Sequence, residues 1–132
     1  MIVSNPIKEV FRAFREALEP ICGPGNVSME QSATIQKAPY ARIYLMGAPG
    51  AGHDLNGNEA ATMISLQAEY FADGEYAVED AYDIDETGHI VLTELGFRRT
   101  YGPELVTNID NSIKRVVSRY RRIYTGTFET NQ

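Results

Sequence analysis

With 132 residues, 43% of them hydrophobic and 23% charged, and a net charge of −6, the chain has the size and composition of one globular domain, residues 1–132, and not of a disordered tail, a collagen-like repeat or a coiled coil. A single cysteine, Cys22, excludes an internal disulfide and the Cys-rich zinc and iron–sulfur signatures, so a reducing, cytoplasmic place of assembly is expected. No run approaches the roughly 18 apolar residues of a membrane span, and Lys8, Arg12 and Arg15 stand at helical spacing, unlike the basic tip and apolar core of a secretory leader.

Ser4, Asn5 and Pro6 are a helix start, with Ser or Asn as the cap and proline in the first turn. Ile7, Val10, Phe11, Phe14, Ala17 and Leu18 then recur at steps of three and four, which predicts an amphipathic helix ending by Pro20. Cys22-Gly23-Pro24-Gly25-Asn26 is a breaker. Residues 27–34 are weakly patterned and fit a short edge strand, whereas residues 40–46, β-branched and aromatic, predict a strand. Residues 47–58 hold four glycines, Pro49, His53 and Asp54 and are expected to form a long mobile loop of the docking type.

From residue 60 to 71, Thr62, Ile64, Leu66, Ala68 and Tyr70 alternate with Met63, Ser65, Gln67, Glu69 and Phe71, the clearest strand pattern in the chain. After Asp73-Gly74, Ala77, Ala81, Ile84, Gly88, Val91 and Leu95 predict a second helix, weakened at Thr87-Gly88, with Glu79, Asp80, Asp83, Asp85 and Glu86 on its water face. Gly96 closes that helix. Residues 97–106 and 112–124 predict an antiparallel hairpin, the second segment being read as strand over helix by its Val, Tyr and Arg content. Residues 125–132 carry no periodic signal and are expected to be loose. The sum is an α+β fold: a mostly antiparallel β-sheet with two main helices packed on one face.

Charge is segregated along the chain. Residues 43–97 carry eleven acids and no Lys or Arg, whereas residues 98–132 carry seven basic residues against Glu104, Asp110 and Glu129. These regions can pair within one molecule or between neighbours in a head-to-tail ring. Nonspecific DNA binding is disfavoured, since an acidic chain lacks a broad basic footprint.

No enzyme signature survives inspection. His53-Asp54 has the makings of half a metal site or of a base with its orienting carboxylate, but the only other histidine, His89, is in the acidic helix, and a solvated loop tip is the better reading. Cys22 has no nearby cation to activate it, and Ser28 lacks a nucleophile-elbow setting. The glycines from Gly47 to Gly52 lack the Lys-Ser/Thr ending of a phosphate loop, and the acids of the second helix lack the alternating ligands and central glycine of a calcium loop. No catalytic residue, metal or cofactor is expected.

The layout as a whole is more informative. An amphipathic N-terminal helix, Pro39-Tyr40-Ala41-Arg42-Ile43 opening a strand, a polar loop, the 62–71 strand, an acidic helix, Gly96-Phe97-Arg98-Arg99 and a closing segment with Ile113-Lys114-Arg115-Val116-Val117-Ser118-Arg119-Tyr120 resemble the tail (neck) terminator proteins of tailed bacteriophages across residues 5–124. The resemblance implies a virion protein, assembled in the host cytoplasm. It would form a homo-oligomer, a hexameric ring that caps the tail tube, joins it to a head-completion or neck protein and lets DNA pass without specific binding.

Such proteins work through surfaces, so the expected subunit contact sets Glu79, Asp83 and Glu86 of one copy against Arg115, Arg119 and Arg121 of the next, with His53, Asp54, Leu55 and Asn56 as a docking loop. Another neck or baseplate component is the alternative in the same class. From a different class, the alternative is a small metabolite- or metal-binding module using His53, Asp54 and the acidic helix.

Overall fold

A computed structural model describes residues 6–30, 37–47, 50–53, 59–106 and 112–125, with side chains described outside 50–53 and 59–61. The elements run α1 (Ile7–Cys22), β1 (Val27–Ser28), β2 (Tyr40–Gly47), β3 (Gly50–His53), β4 (Glu59–Asp73), α2 (Ala77–Glu94), β5 (Arg98–Val106) and β6 (Ile113–Tyr124). The sheet order is β1-β2-β4-β6-β5, with β3 paired to β4. Only the β1–β2 pairing is parallel. The fold is α+β, with α1 packed on β1, β2 and α2, and α2 on β4, β5 and β6.

Period-two alternation in β4 decides which side of the sheet the helices cover. Ile64, Leu66, Ala68 and Tyr70 are fully buried and meet Val10, Phe14 and Leu18 of α1, Ala81, Ile84 and Leu92 of α2, Ile43 of β2 and Val116 and Tyr120 of β6 in one apolar cluster. Fully burying each Val, Leu, Ile or Phe side chain among them stabilises the fold by roughly 1.5–3 kcal/mol before the entropy of ordering is counted. Cross-strand partners share a face, so the register of β4 with β6 assigns the rest. Tyr70–Val116, Ala68–Ser118 and Leu66–Tyr120 face the helices, while Phe71–Arg115, Gln67–Arg119 and Ser65–Arg121 face the other way.

Several expectations need correction. Residues 47–58 are not one continuous loop, because Gly50–His53 forms β3, in register with Glu59–Thr62 of β4. A Gly-Ala-Gly-His segment has little strand propensity of its own, and the long neighbouring strand supplies the ladder that propensity does not. Asp54, Leu55 and Asn56 of the expected docking loop lie outside the described residues, as do Ser4 and Asn5 of the expected cap and residues 126–132 of the tail.

Helix α1 begins one residue after Pro6, which makes no side-chain cap, and its carbonyl accepts from the amides of Glu9 and Val10. Nor does α1 end by Pro20. It continues to Cys22, whose burial one turn beyond Leu18 rewards the extra residues, and it stops at Gly23 with φ +95°. The expected edge strand is only Val27–Ser28 among the described residues.

Helix α2 is unbroken at Gly88. A Cβ there would lie 2.0 Å from the Tyr70 hydroxyl oxygen, so the missing side chain is what lets the helix settle on β4. Asp85, expected in water, is buried instead. In β5, Gly102 has φ +89° and sits where the register slips between Tyr101 and Glu104. A Cβ there would strike the Val117 carbonyl, so the bulge requires glycine.

Candidate functional site

Two surfaces of opposite sign lie on opposite sides of the sheet. On the helix side, α2 carries five acids from Glu79 to Glu86 and Glu94, with no Lys or Arg. Glu79, Asp80, Asp83 and Glu86 are exposed. Glu79 and Asp80 in the first turn favour the helix dipole. Asp83 and Glu86 lie beyond it, and their like-charge neighbours three and four residues away destabilise the helix slightly.

The three acids expected at an interface have different settings. Glu79 borders a shallow hollow beside Lys114, and Asp83 rims a cleft of about 390 Å³ between α1, the end of β4 and α2. Glu86 borders a hollow of about 270 Å³ with Tyr82, His89 and Arg99.

The helix-free side carries Arg42, Arg98, Arg115, Arg119 and Arg121, but these residues are not equivalent. At its centre, Glu69 is only 1% exposed. Arg42 donates to Glu69 Oε1 through Nε at 2.8 Å and Nη2 at 2.7 Å, and Arg115 Nη1 adds a longer contact at 3.5 Å. Tyr44 donates to Glu69 Oε2 at 2.7 Å, and the Gln67 amide donates to the same oxygen. Burial of Glu69 favours its neutral form, yet the hydrogen bonds from Tyr44, Gln67 and Arg42 and the Arg42 charge outweigh it, holding the carboxyl below its ordinary range.

The same carboxylate and burial push the Tyr44 hydroxyl up to about 12, burial first. Arg42 also lies 5.2 Å from the Phe71 ring centroid, so guanidinium groups roof the aromatic rings of this face.

Of the three arginines expected at a subunit contact, Arg115 therefore belongs to an internal ion pair. Arg119 donates to Gln67 Oε1 at 2.9 Å and lies 4.9 Å from the Tyr101 ring centroid, while Tyr101 donates to Glu104. Arg121 is exposed, directly opposite Arg98 in the β5–β6 register, with Ile123 55% exposed two residues on.

A second buried carboxylate was not legible in the sequence. Asp85 accepts from Ser118 Oγ at 2.6 Å and from Arg99 Nη2 at 2.9 Å, and Arg99 also donates to Tyr120 Oη at 2.9 Å. Tyr120 Oη is 3.0 Å from His89 Nδ1. Burial and then the Arg99 charge lower the His89 pKa. Ser118 donates to Asp85, so one chain of polar contacts runs from Ser118 through Asp85, Arg99 and Tyr120 to His89. It ties α2 to β5 and β6.

Cys22 is buried, and burial pushes its thiol up to about 11, the setting of an inert side chain. Ser28 Oγ accepts from the Glu30 amide at 2.9 Å. His53 ends β3 opposite Glu59. Among the described residues no group of three or more His, Cys, Asp or Glu side chains is placed to hold a metal ion, and no helix is long and apolar enough to cross a membrane.

The described residues form an α+β fold with an acidic ridge on α2 and an arginine-bearing sheet face that none of the described helices covers. No family model matches the chain, and no curated protein matches it either.

Proposed function

We propose that the chain is a structural, ring-forming subunit of a phage tail, of the tail (neck) terminator type. It associates with its own copies, expected as a hexamer, on a tail tube protein and presents the other rim to a head-completion protein, with DNA passing through the ring without specific binding. The observation that supports this reading is the placement of opposite charge. Glu79, Asp83 and Glu86 lie on the helix layer, while Arg98, Arg119 and Arg121 lie on the helix-free side of the same sheet.

Patches on opposite sides of a two-layer domain cannot meet within one subunit. Between copies they meet head to tail, and a heterologous contact of this kind closes into a ring when its rotation divides a full turn. Charge complementarity of this sort governs register and encounter more than raw affinity. The role needs no reacting group.

Negative-stain imaging of the purified protein, alone and mixed with preformed tail tubes, tests the reading. Rings with a central hole that cap tube ends are expected. Particles that stay monomeric and leave the tube ends bare would contradict it.

A further inference from the structure

We propose that the contact between copies is a defined seat: the cleft between α1 and α2 of one copy receives the Arg98–Arg121–Ile123 ridge of the next. The inference rests on the reading of the chain as a self-assembling subunit and names the two surfaces that join. The cleft, about 390 Å³, has an apolar floor of Ile21, Pro39, Ala72 and Ile84 and a rim of three carboxylates, Asp73, Asp80 and Asp83. Ile21 is 45% exposed although it lies beside the buried core. An occupant complementary to this cleft is cationic and carries an apolar edge.

The ridge has that chemistry and a deficit of its own. Arg98 and Arg121 are direct cross-strand partners, and like charges directly opposite one another destabilise a sheet. Among the described residues neither guanidinium makes an ion pair. An anion from outside the subunit removes that repulsion, and Ile123, exposed on the same face, supplies the apolar edge.

Position excludes closure within one molecule. The cleft lies on the helix side at the Asp73 end of β4, whereas Ile123 pairs with Met63 on the other side, ten residues away or about 33 Å along the strand. A second copy can bring the two together, and the offset makes the contact directional. The stacking of a guanidinium over three carboxylates also gives the seat the salt dependence of a charge-assisted contact.

The test is sedimentation velocity at low salt on wild type, Asp83→Arg, Arg121→Asp and the double variant, with melting curves to verify that each folds. Each single charge reversal is expected to weaken self-association at least tenfold without unfolding the subunit. The double variant, which restores opposite signs across the seat, is expected to recover most of the loss.

Wild-type assembly that survives both single variants, or a double variant no better than the singles, overturns the seat and leaves the ring reading standing. Wild type that never associates overturns the seat, and the ring reading falls with it only if tube ends mixed with the protein also stay bare. If Asp83→Arg leaves self-association intact but abolishes binding to tail tubes, the cleft belongs to the tube contact, and the proposal is wrong.

Discussion

The two sides of strand β4 bury their residues by different physics. On the helix side, Ile64, Leu66, Ala68 and Tyr70 disappear into an apolar core, where stability follows the area removed from water. On the helix-free side no second layer exists among the described residues, yet Glu69, Phe71 and Val117 are also almost inaccessible. Arg42 and Tyr40 pack against Phe71, and the carboxylate is tolerated because Arg42, Arg115, Tyr44 and Gln67 satisfy it. One face resists change in volume, and the other resists change in charge. The exposed ridge of α2 resists neither, which leaves it available for a partner.

The sharpest way to break this contrast is Glu69→Ala, which leaves two arginines facing an empty centre. Removing one member of a buried ion pair costs about 3–5 kcal/mol, so the midpoint of urea unfolding should fall substantially. The same group fixes the acid response. Its folded pKa is depressed, so its contribution is fully present above the ordinary carboxylate pKa and is lost as pH falls through the folded value. Wild type should therefore lose stability below the ordinary carboxylate range along a slope that Glu69→Ala lacks.

On the apolar side, Gly88→Ala forces a methyl group against Tyr70 and is expected to cost about 1–3 kcal/mol. Tyr70→Phe sharpens the point, because the Tyr70 hydroxyl is buried with no hydrogen-bond partner among the described residues. Its removal should raise stability by about 1 kcal/mol and reduce the cost of Gly88→Ala when the two are combined in a double-mutant cycle. The smallest effect belongs to the ridge: Asp83→Asn should shift the stability of the isolated subunit by less than about 0.5 kcal/mol. A loss above 2 kcal/mol there would mean that Asp83 is a structural residue.

Periodicity made the two helices, the long strand β4 and its buried face legible, because apolar residues spaced at two or near 3.6 are direct consequences of covering one side, whereas the β5–β6 hairpin was legible from its Val, Tyr and Arg content, the spacing of β6 alone also fitting a helix. Glu69 and Asp85 were missed for a shared reason. In a one-dimensional pattern both fall on polar faces, and nothing local shows that Arg42, Arg115 or Arg99, distant in sequence, will arrive to satisfy them. Strand β3 was hidden because glycine is scored as loop when its pairing partner is unknown.

For the candidate surfaces, charge counting located the acidic helix and the basic C-terminal hairpin. Which arginines remain exposed depends on register. That is why Arg121 stays at the proposed contact, Arg115 turns inward to Glu69, and Arg98, absent from the expected set, joins it.

If opposite charge on opposite sides of the sheet joins copies of the chain, salt must weaken their association. Light-scattering mass of the wild-type protein across a salt series tests it most directly, since screening shortens from about 10 Å at 0.1 M to about 3 Å at 1 M. A mass several times that of the subunit is expected at low salt, falling towards one subunit as salt rises. A mass of one subunit at every salt and protein concentration, or an oligomer indifferent to salt, would contradict it.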